Sequence, residues 1–174
     1  MFTLVIGGAA SGKSEFAEEW AKSLSGPRLY VATMQPFDDE CRARIARHRA
    51  QRAGKGFDTL ECYTALADAA KAVAIGSNVL LECMSNLVAN ELYSPDGCGA
   101  DAAIAGVAAL LPRCANLTVV TNEVFSGGAD YAGDTLFYLR ELARVNRELA
   151  RRADAVAEIV CGQVNILKGR EYFR

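Results

Sequence analysis

Gly7-Gly8-Ala9-Ala10-Ser11-Gly12-Lys13-Ser14 fits the pattern GxxxxGK[ST] at every fixed position. It follows the apolar run Phe2-Thr3-Leu4-Val5-Ile6 and opens a helical pattern, the strand-turn-helix setting that a phosphate-binding loop requires. Glycines at both ends let the backbone curl so that successive N–H groups point at one anion. Lys13 then neutralises the β/γ oxygens of a nucleoside triphosphate, and the Ser14 hydroxyl is positioned to ligate Mg²⁺. The loop specifies a bound triphosphate and leaves the reaction open.

Outward from the loop, strand and helix signals alternate to the end of the chain. This predicts an α/β fold of the P-loop NTPase type, a mainly parallel sheet flanked by helices, in a single domain over 1–174. Lys13 to Leu24 reads as a helix with Phe16, Trp20 and Leu24 on one inward face. Gly26-Pro27 ends it and Leu29 to Ala32 forms the second strand. Asp38 to Arg52 reads as a helix with acids in its first turn, where they complement the dipole. Phe57 to Cys62 is extended, and Ala65 to Ile75 reads as an alanine-rich helix capped by Thr64.

Asn78 to Cys83 is a buried-type strand carrying Glu82 near its end. Ser94 to Gly99 is a loop, with an apolar helix to about residue 111 behind it. Leu117 to Thr121 is another central strand, followed by Asn122-Glu123. Residues 125 to 134 are glycine-rich and read as a mobile loop. A long helix from Asp134 to Arg152 turns Leu139, Leu142, Val145 and Leu149 inward. Ala155 to Val160 is a late strand, and Val164 to Leu167 adds a final one.

A formal charge of -2 gives no electrostatic reason to expect nucleic acid as a partner. No apolar stretch approaches the roughly 20 residues that span a bilayer. The N-terminal residues already form a core strand, so they do not read as a signal peptide, and a cytoplasmic location is expected. The six cysteines are scattered without a CxxC pair, which points to reduced thiols rather than a zinc site.

Phosphoryl transfer needs a carboxylate beside the phosphate loop to organise a metal. In open α/β sheets such groups sit at the carboxyl ends of strands, where Glu82 and Glu123 both fall, with Glu82 favoured by its strongly apolar strand. A second constellation surrounds His48, the only histidine. Arg42, Arg44, Arg47, Arg49 and Arg52 lie within eleven residues of sequence, and helical spacing aligns Arg44, His48 and Arg52. Guanidinium forks suit phosphate oxygens, and their charge keeps a neighbouring imidazole neutral and nucleophilic. The same run also reads as a solvated basic face with an incidental histidine.

Taken together these segments resemble the bifunctional adenosylcobinamide kinase / adenosylcobinamide-phosphate guanylyltransferase family of cobalamin biosynthesis. The resemblance runs through the phosphate loop, Tyr30 to Thr33, Asp38 to Glu40 and Arg44 to Arg49. It continues through Leu81 to Cys83 with Asn86 to Asn90, Thr121 to Val124, and Arg144 to Asn146. It implies that His48 accepts GMP from GTP. It also implies nucleotide contacts at Gly7, Gly8, Ala9, Ala10, Ser11, Gly12, Lys13 and Ser14, at Ala32, Thr33 and Met34, at Arg49, Ala50, Gln51 and Arg52, and at Glu61 and Glu82. Mg²⁺ would sit at Ser14 and Glu82.

Two reactions are implied. The γ-phosphate of ATP or GTP passes to adenosylcobinamide, and GMP then moves from His48 to adenosylcobinamide phosphate. A homo-oligomer is implied, with a trimer as the suggested form. Phe57 stands where the family often has tryptophan, and the stretch after Val124 lacks the family's proline. Narrower alternatives are a guanylyltransferase alone, a small-molecule kinase in which His48 is incidental, or a nucleotide-dependent regulatory module.

Overall fold

The computed structural model describes residues 1–125 and 131–173. Seven strands form one sheet: β1 (Phe2–Gly7), β2 (Arg28–Ala32), β3 (Phe57–Glu61), β4 (Ser77–Glu82), β5 (Cys114–Asn122), β6 (Ala155–Val160) and β7 (Gln163–Lys168). Their spatial order is β3-β2-β4-β5-β1-β6-β7. The first six run parallel, and β7 returns antiparallel against β6. The helices are α1 (Lys13–Ser23), α2 (Asp39–Arg52), α3 (Leu66–Ala69), α4 (Met84–Tyr93), α5 (Ala100–Leu110) and α6 (Gly133–Arg152). The expected α/β architecture is present.

The central strands are buried on both faces, so they read as continuous apolar runs. Alternate residues still go to opposite sides. Leu4, Val79, Leu81, Leu117 and Val119 join the larger core cluster under α4, α5 and α6. Val5, Leu80 and Val120 meet Ala17 and Ala21 of α1 on the other face. Each fully buried leucine or valine contributes about 1.5–3 kcal/mol through removal from water. The larger cluster holds the sheet in place, while the smaller one seats the helix that follows the phosphate loop.

Three sequence expectations change in the structure. The inward face of α1 consists of Lys13, Ala17, Glu18 and Ala21. Phe16 and Trp20 lie at its flank, where both rings pack on Phe173. The alanine-rich helix is one α turn followed by a 3-10 turn over Ala70–Ala72, without a side-chain cap from Thr64. Leu66, Ala70 and Val73 all enter the core. Arg113 Nε donates to the Val73 carbonyl at 2.8 Å, so the chain leaves the helical path there despite its alanine content. In α6, Leu142, Val145, Asn146 and Leu149 are buried, whereas Leu139 is only half-buried.

Helix α4 has no counterpart in the expected elements. It follows β4 directly and turns Met84, Leu87 and Val88 into the larger cluster. Strand β5 is longer than expected, and β7 is the antiparallel edge. Residues 126–130 of the glycine-rich loop expected over 125–134 lie outside the described residues. No helix among the described residues is long and apolar enough to cross a membrane.

Candidate active site

The phosphate loop leaves the carboxyl end of β1, the position that open α/β sheets reserve for ligands. Gly7 has no room for a side chain: a Cβ there would lie 2.5 Å from Ser11 Oγ and 2.6 Å from the Ile159 carbonyl oxygen. Gly12 adopts φ +92° at the N-cap of α1, a left-handed conformation that strains other residues. Ala9, Ala10, Lys13 and Ser14 line a cavity of about 1070 Å³. The Lys13 ammonium donates to the Gly8 carbonyl at 3.0 Å, folding back over the loop. Burial depresses its pKa, and Arg44 adds to that, while Cys83 and Glu82 oppose it.

Glu82 ends β4, separated from the β1 loop by β5. Its carboxylate is 8 % exposed and accepts a hydrogen bond from Ser14 Oγ through Oε1. Oε2 is buried without a partner. Burial pushes its pKa up, against the pull of Ser14, Lys13 and Arg52. Two hard oxygen donors side by side, one with an unused lone-pair site, fit a Mg²⁺ bound to nucleotide phosphates. Glu123 is not a member of this group: its Oε1 accepts from the Phe125 amide at 3.0 Å, and it does not line the cavity.

Helix α2 forms the opposite wall. Asp38 caps it by accepting from the Cys41 amide at 2.7 Å, and Asp39 and Glu40 occupy its first turn. Arg52 is its only buried residue. The Arg52 guanidinium stacks 3.4 Å above the Tyr30 ring, which pins the end of the helix to β2. Arg44, His48 and Arg52 all face the cavity, as their four-residue spacing predicts, and Arg42, Arg47 and Arg49 also line it. His48 is half-buried, with Nδ1 enclosed and unpartnered. Burial lowers its pKa below 6.5, Arg52, Arg44 and Arg47 reinforce this, and Glu18 opposes it. The imidazole is therefore held toward its neutral form.

Ala32, Met34, Glu61 and Glu82 line the cavity as well. Glu61 pairs with Arg49 and accepts from Tyr63 Oη at 2.8 Å, and these contacts hold its pKa low. Seven expected contacts do not line the cavity: Gly7, Gly8, Ser11 and Gly12 of the loop, and Thr33, Ala50 and Gln51. Thr33 is fully buried, with its hydroxyl bonded to the amide and carbonyl of Cys83. It braces the Glu82 turn instead of facing the cavity. Ala50 and Gln51 are exposed in the last turn of α2 and do not line the cavity.

Several lining residues were not among the expected contacts, Tyr30, Tyr63, Asn86 and Asn122 among them. Tyr63 lines the cavity and orients Glu61. Glu18, one turn beyond Ser14 on α1, is completely buried. An acid on the inward face of a helix was the available signal for Glu18. Among the described residues no cluster of three metal-ligating His, Cys, Asp or Glu side chains occurs, and all six cysteines are free thiols.

The family model described as cobinamide kinase / cobinamide phosphate guanyltransferase matches residues 3–167. The bifunctional adenosylcobalamin biosynthesis protein CobU of Salmonella typhimurium is 36% identical over 93% of this chain and 97% of its own length. The Escherichia coli protein of the same name is 34% identical with the same coverage, and CobP of Pseudomonas aeruginosa is 32% identical over 97% of this chain and 98% of its own length. A solved ATPase from the type III secretion system of pathogenic bacteria shares the fold at TM-score 0.53 and 9% identity. The match covers 90% of this chain and half of that ATPase. On the extent of these matches, the chain belongs to the cobinamide kinase / cobinamide phosphate guanyltransferase family.

Proposed function

We propose that this chain phosphorylates adenosylcobinamide with ATP or GTP and then transfers GMP from GTP to the product, with His48 as the covalent carrier. The observation that carries the reading is that His48, its arginines and the phosphate loop line one cavity. The two transfers break different bonds of a triphosphate. In the kinase reaction, loop amides and Lys13 cradle the β/γ-phosphates while the aminopropanol hydroxyl attacks the γ-phosphorus. In the second reaction the neutral imidazole of His48 attacks the α-phosphorus, and the arginines of α2 stabilise the departing pyrophosphate.

Ser14 and Glu82 would hold Mg²⁺, which when bound neutralises phosphate charge. Glu61, kept ionised by Arg49 and Tyr63, is suited to accept the N–H donors of guanine. A homo-oligomer belongs to the same proposal. Val164 and Leu167, exposed on the edge strand β7, offer apolar surface for it.

Incubation with α-labelled GTP and Mg²⁺ tests the carrier directly. Wild-type protein is expected to take up acid-labile, alkali-stable label, and His48→Ala to take up none while keeping γ-transfer to adenosylcobinamide. Wild-type protein that stays unlabelled would sink the guanylylation half. Transfer of γ-label to adenosylcobinamide tests the kinase half separately.

A further inference from the structure

Glu18 is an acid where α1 should be apolar. It shares the inward face of that helix with Ala17 and Ala21, is 0 % exposed, and lies one turn beyond Ser14. A carboxylate in such a place must be paired and fully hydrogen-bonded, or its burial is heavily penalised. Only half of that requirement is met. Oε2 accepts from Lys55 Nζ at 2.8 Å, while Oε1 is buried without a partner.

The missing partner has a counterpart on α2. His48 Nδ1 is also buried and unpartnered. The two groups converge on the same stretch of chain. Lys55, which grips Glu18, donates its backbone N–H to the Arg52 carbonyl at 3.0 Å, and Arg52 follows His48 by one helical turn. Four charged groups act on the imidazole, Arg44, Arg47 and Arg52 of its own helix and Glu18 of α1, while Lys13 and Glu82 line the same cavity. Among these four, Glu18 is the one acid, and it acts from a different helix. A buried acceptor without a donor and a buried ring nitrogen without a partner are complementary.

We propose that Glu18 positions His48: with nucleotide bound, its free oxygen accepts the Nδ1–H of the imidazole, so that Nε2 is unprotonated and directed at the α-phosphate. The inference rests on the guanylylation reading. In the step it serves, the Nε2 lone pair forms the N–P bond as the bond from the α-phosphorus to the bridging oxygen breaks. Pyrophosphate leaves with that electron pair. The ring becomes positively charged, with its Nδ1 proton facing the Glu18 carboxylate, and transfer of GMP onward returns the electron pair to Nε2. Glu18 is a positioning residue, since it touches neither nucleotide nor acceptor.

His48 is the only histidine, so its ring nitrogens can be read by ¹⁵N NMR in the full-length protein without assignment ambiguity. With guanosine 5′-(α,β-methylene)triphosphate bound, the wild type is expected to show the Nδ1–H tautomer. In Glu18→Gln, loss of the negative charge shifts the acidic limb of α-label uptake and the His48 titration to lower pH. In Glu18→Ala the tautomer bias disappears. Label uptake in that variant falls by at least about tenfold while γ-transfer and the GTP KM stay within about threefold of wild type. A purely structural role would slow both transfers together and leave the pH limb unmoved.

A His48 tautomer and titration unchanged in both variants would overturn the inference, whatever happens to the rates. Glu18→Gln keeps the side-chain volume, so a folding failure of Glu18→Ala does not remove the test. Absence of label in wild-type protein strikes the guanylylation reading instead, while the NMR measurement still decides the Glu18 contact.

Discussion

The Ser14 hydroxyl, at the start of α1, donates to the Glu82 carboxylate at the end of β4, across the width of the intervening strand β5. The pair spans 68 residues of sequence and joins the phosphate loop to the end of β4. It is the arrangement into which a divalent cation can insert, with the serine oxygen and carboxylate already oriented.

Protonation of Glu82 should therefore compete with Mg²⁺. Its burial raises the carboxyl above the ordinary value of 4.5. The half-saturating Mg²⁺ concentration is expected to rise as pH falls, beginning at a higher pH than an exposed glutamate would give. Glu82→Gln should remove this dependence and lower both transfer rates by about 100-fold. Mg²⁺ titrations of γ- and α-label transfer across the pH range measure it. A mutant with wild-type Mg²⁺ dependence would exclude Glu82 from the metal site.

Arg52 acts on His48 through charge and on α2 through its stack over Tyr30. Removing the cation in Arg52→Met lets the imidazole hold its proton more strongly, so the His48 titration should move up toward 6.5. Folding stability linked to His48 is present above the unfolded value of 6.5 and is lost as pH falls through the depressed folded value. Urea denaturation of the variant should show a weaker acid dependence, with about 1 kcal/mol less stability at neutral pH from the lost cation–π contact. NMR and denaturation read the two effects independently.

The Arg49–Glu61 pair is exposed, with side chains 60% and 44% accessible. Such a pair contributes little to folding, so Glu61→Ala should change stability by less than about 1 kcal/mol. Its effect should appear in nucleotide choice. The GTP KM is expected to rise about tenfold, and the ATP KM of γ-transfer to stay near wild type. Equal losses for both nucleotides would show that Glu61 does not read the base.

Gly106 tests the packing that backs the site. A Cβ at this position of α5 would lie 2.5 Å from Leu66 Cβ, in a fully buried contact with α3. Alanine has the better helix propensity, by about 1 kcal/mol, but the overlap costs about 1–3 kcal/mol. Gly106→Ala is expected to lower the urea midpoint without changing nucleotide affinity. An unchanged or raised midpoint would show that α3 yields freely.

What could be read in advance was local. Gly7 to Ser14 carries its own function because the backbone of one short loop makes the anion site, and the apolar strands around it announce a buried sheet. The stripe Arg44–His48–Arg52 was legible because helical period alone aligns it. Elements governed by neighbours were not. Alanines in 65–75 favour helix, yet burial of Val73 and the Arg113 contact end it early. Met84–Tyr93 lacks a side-chain cap and follows its strand directly, so its start carried no signal.

Sequence by itself therefore determined that residues 7–14 carry a phosphate-binding loop pattern and that one histidine sits among cations. The tertiary structure decided that Glu82, not Glu123, meets Ser14, that Thr33 bonds to Cys83 and does not line the cavity, and that Glu18 is buried on the inward face of α1. The physical reason is strand order. Placing β5 between β1 and β4 determines which carboxylate reaches the loop, and that order depends on packing summed over the whole sheet.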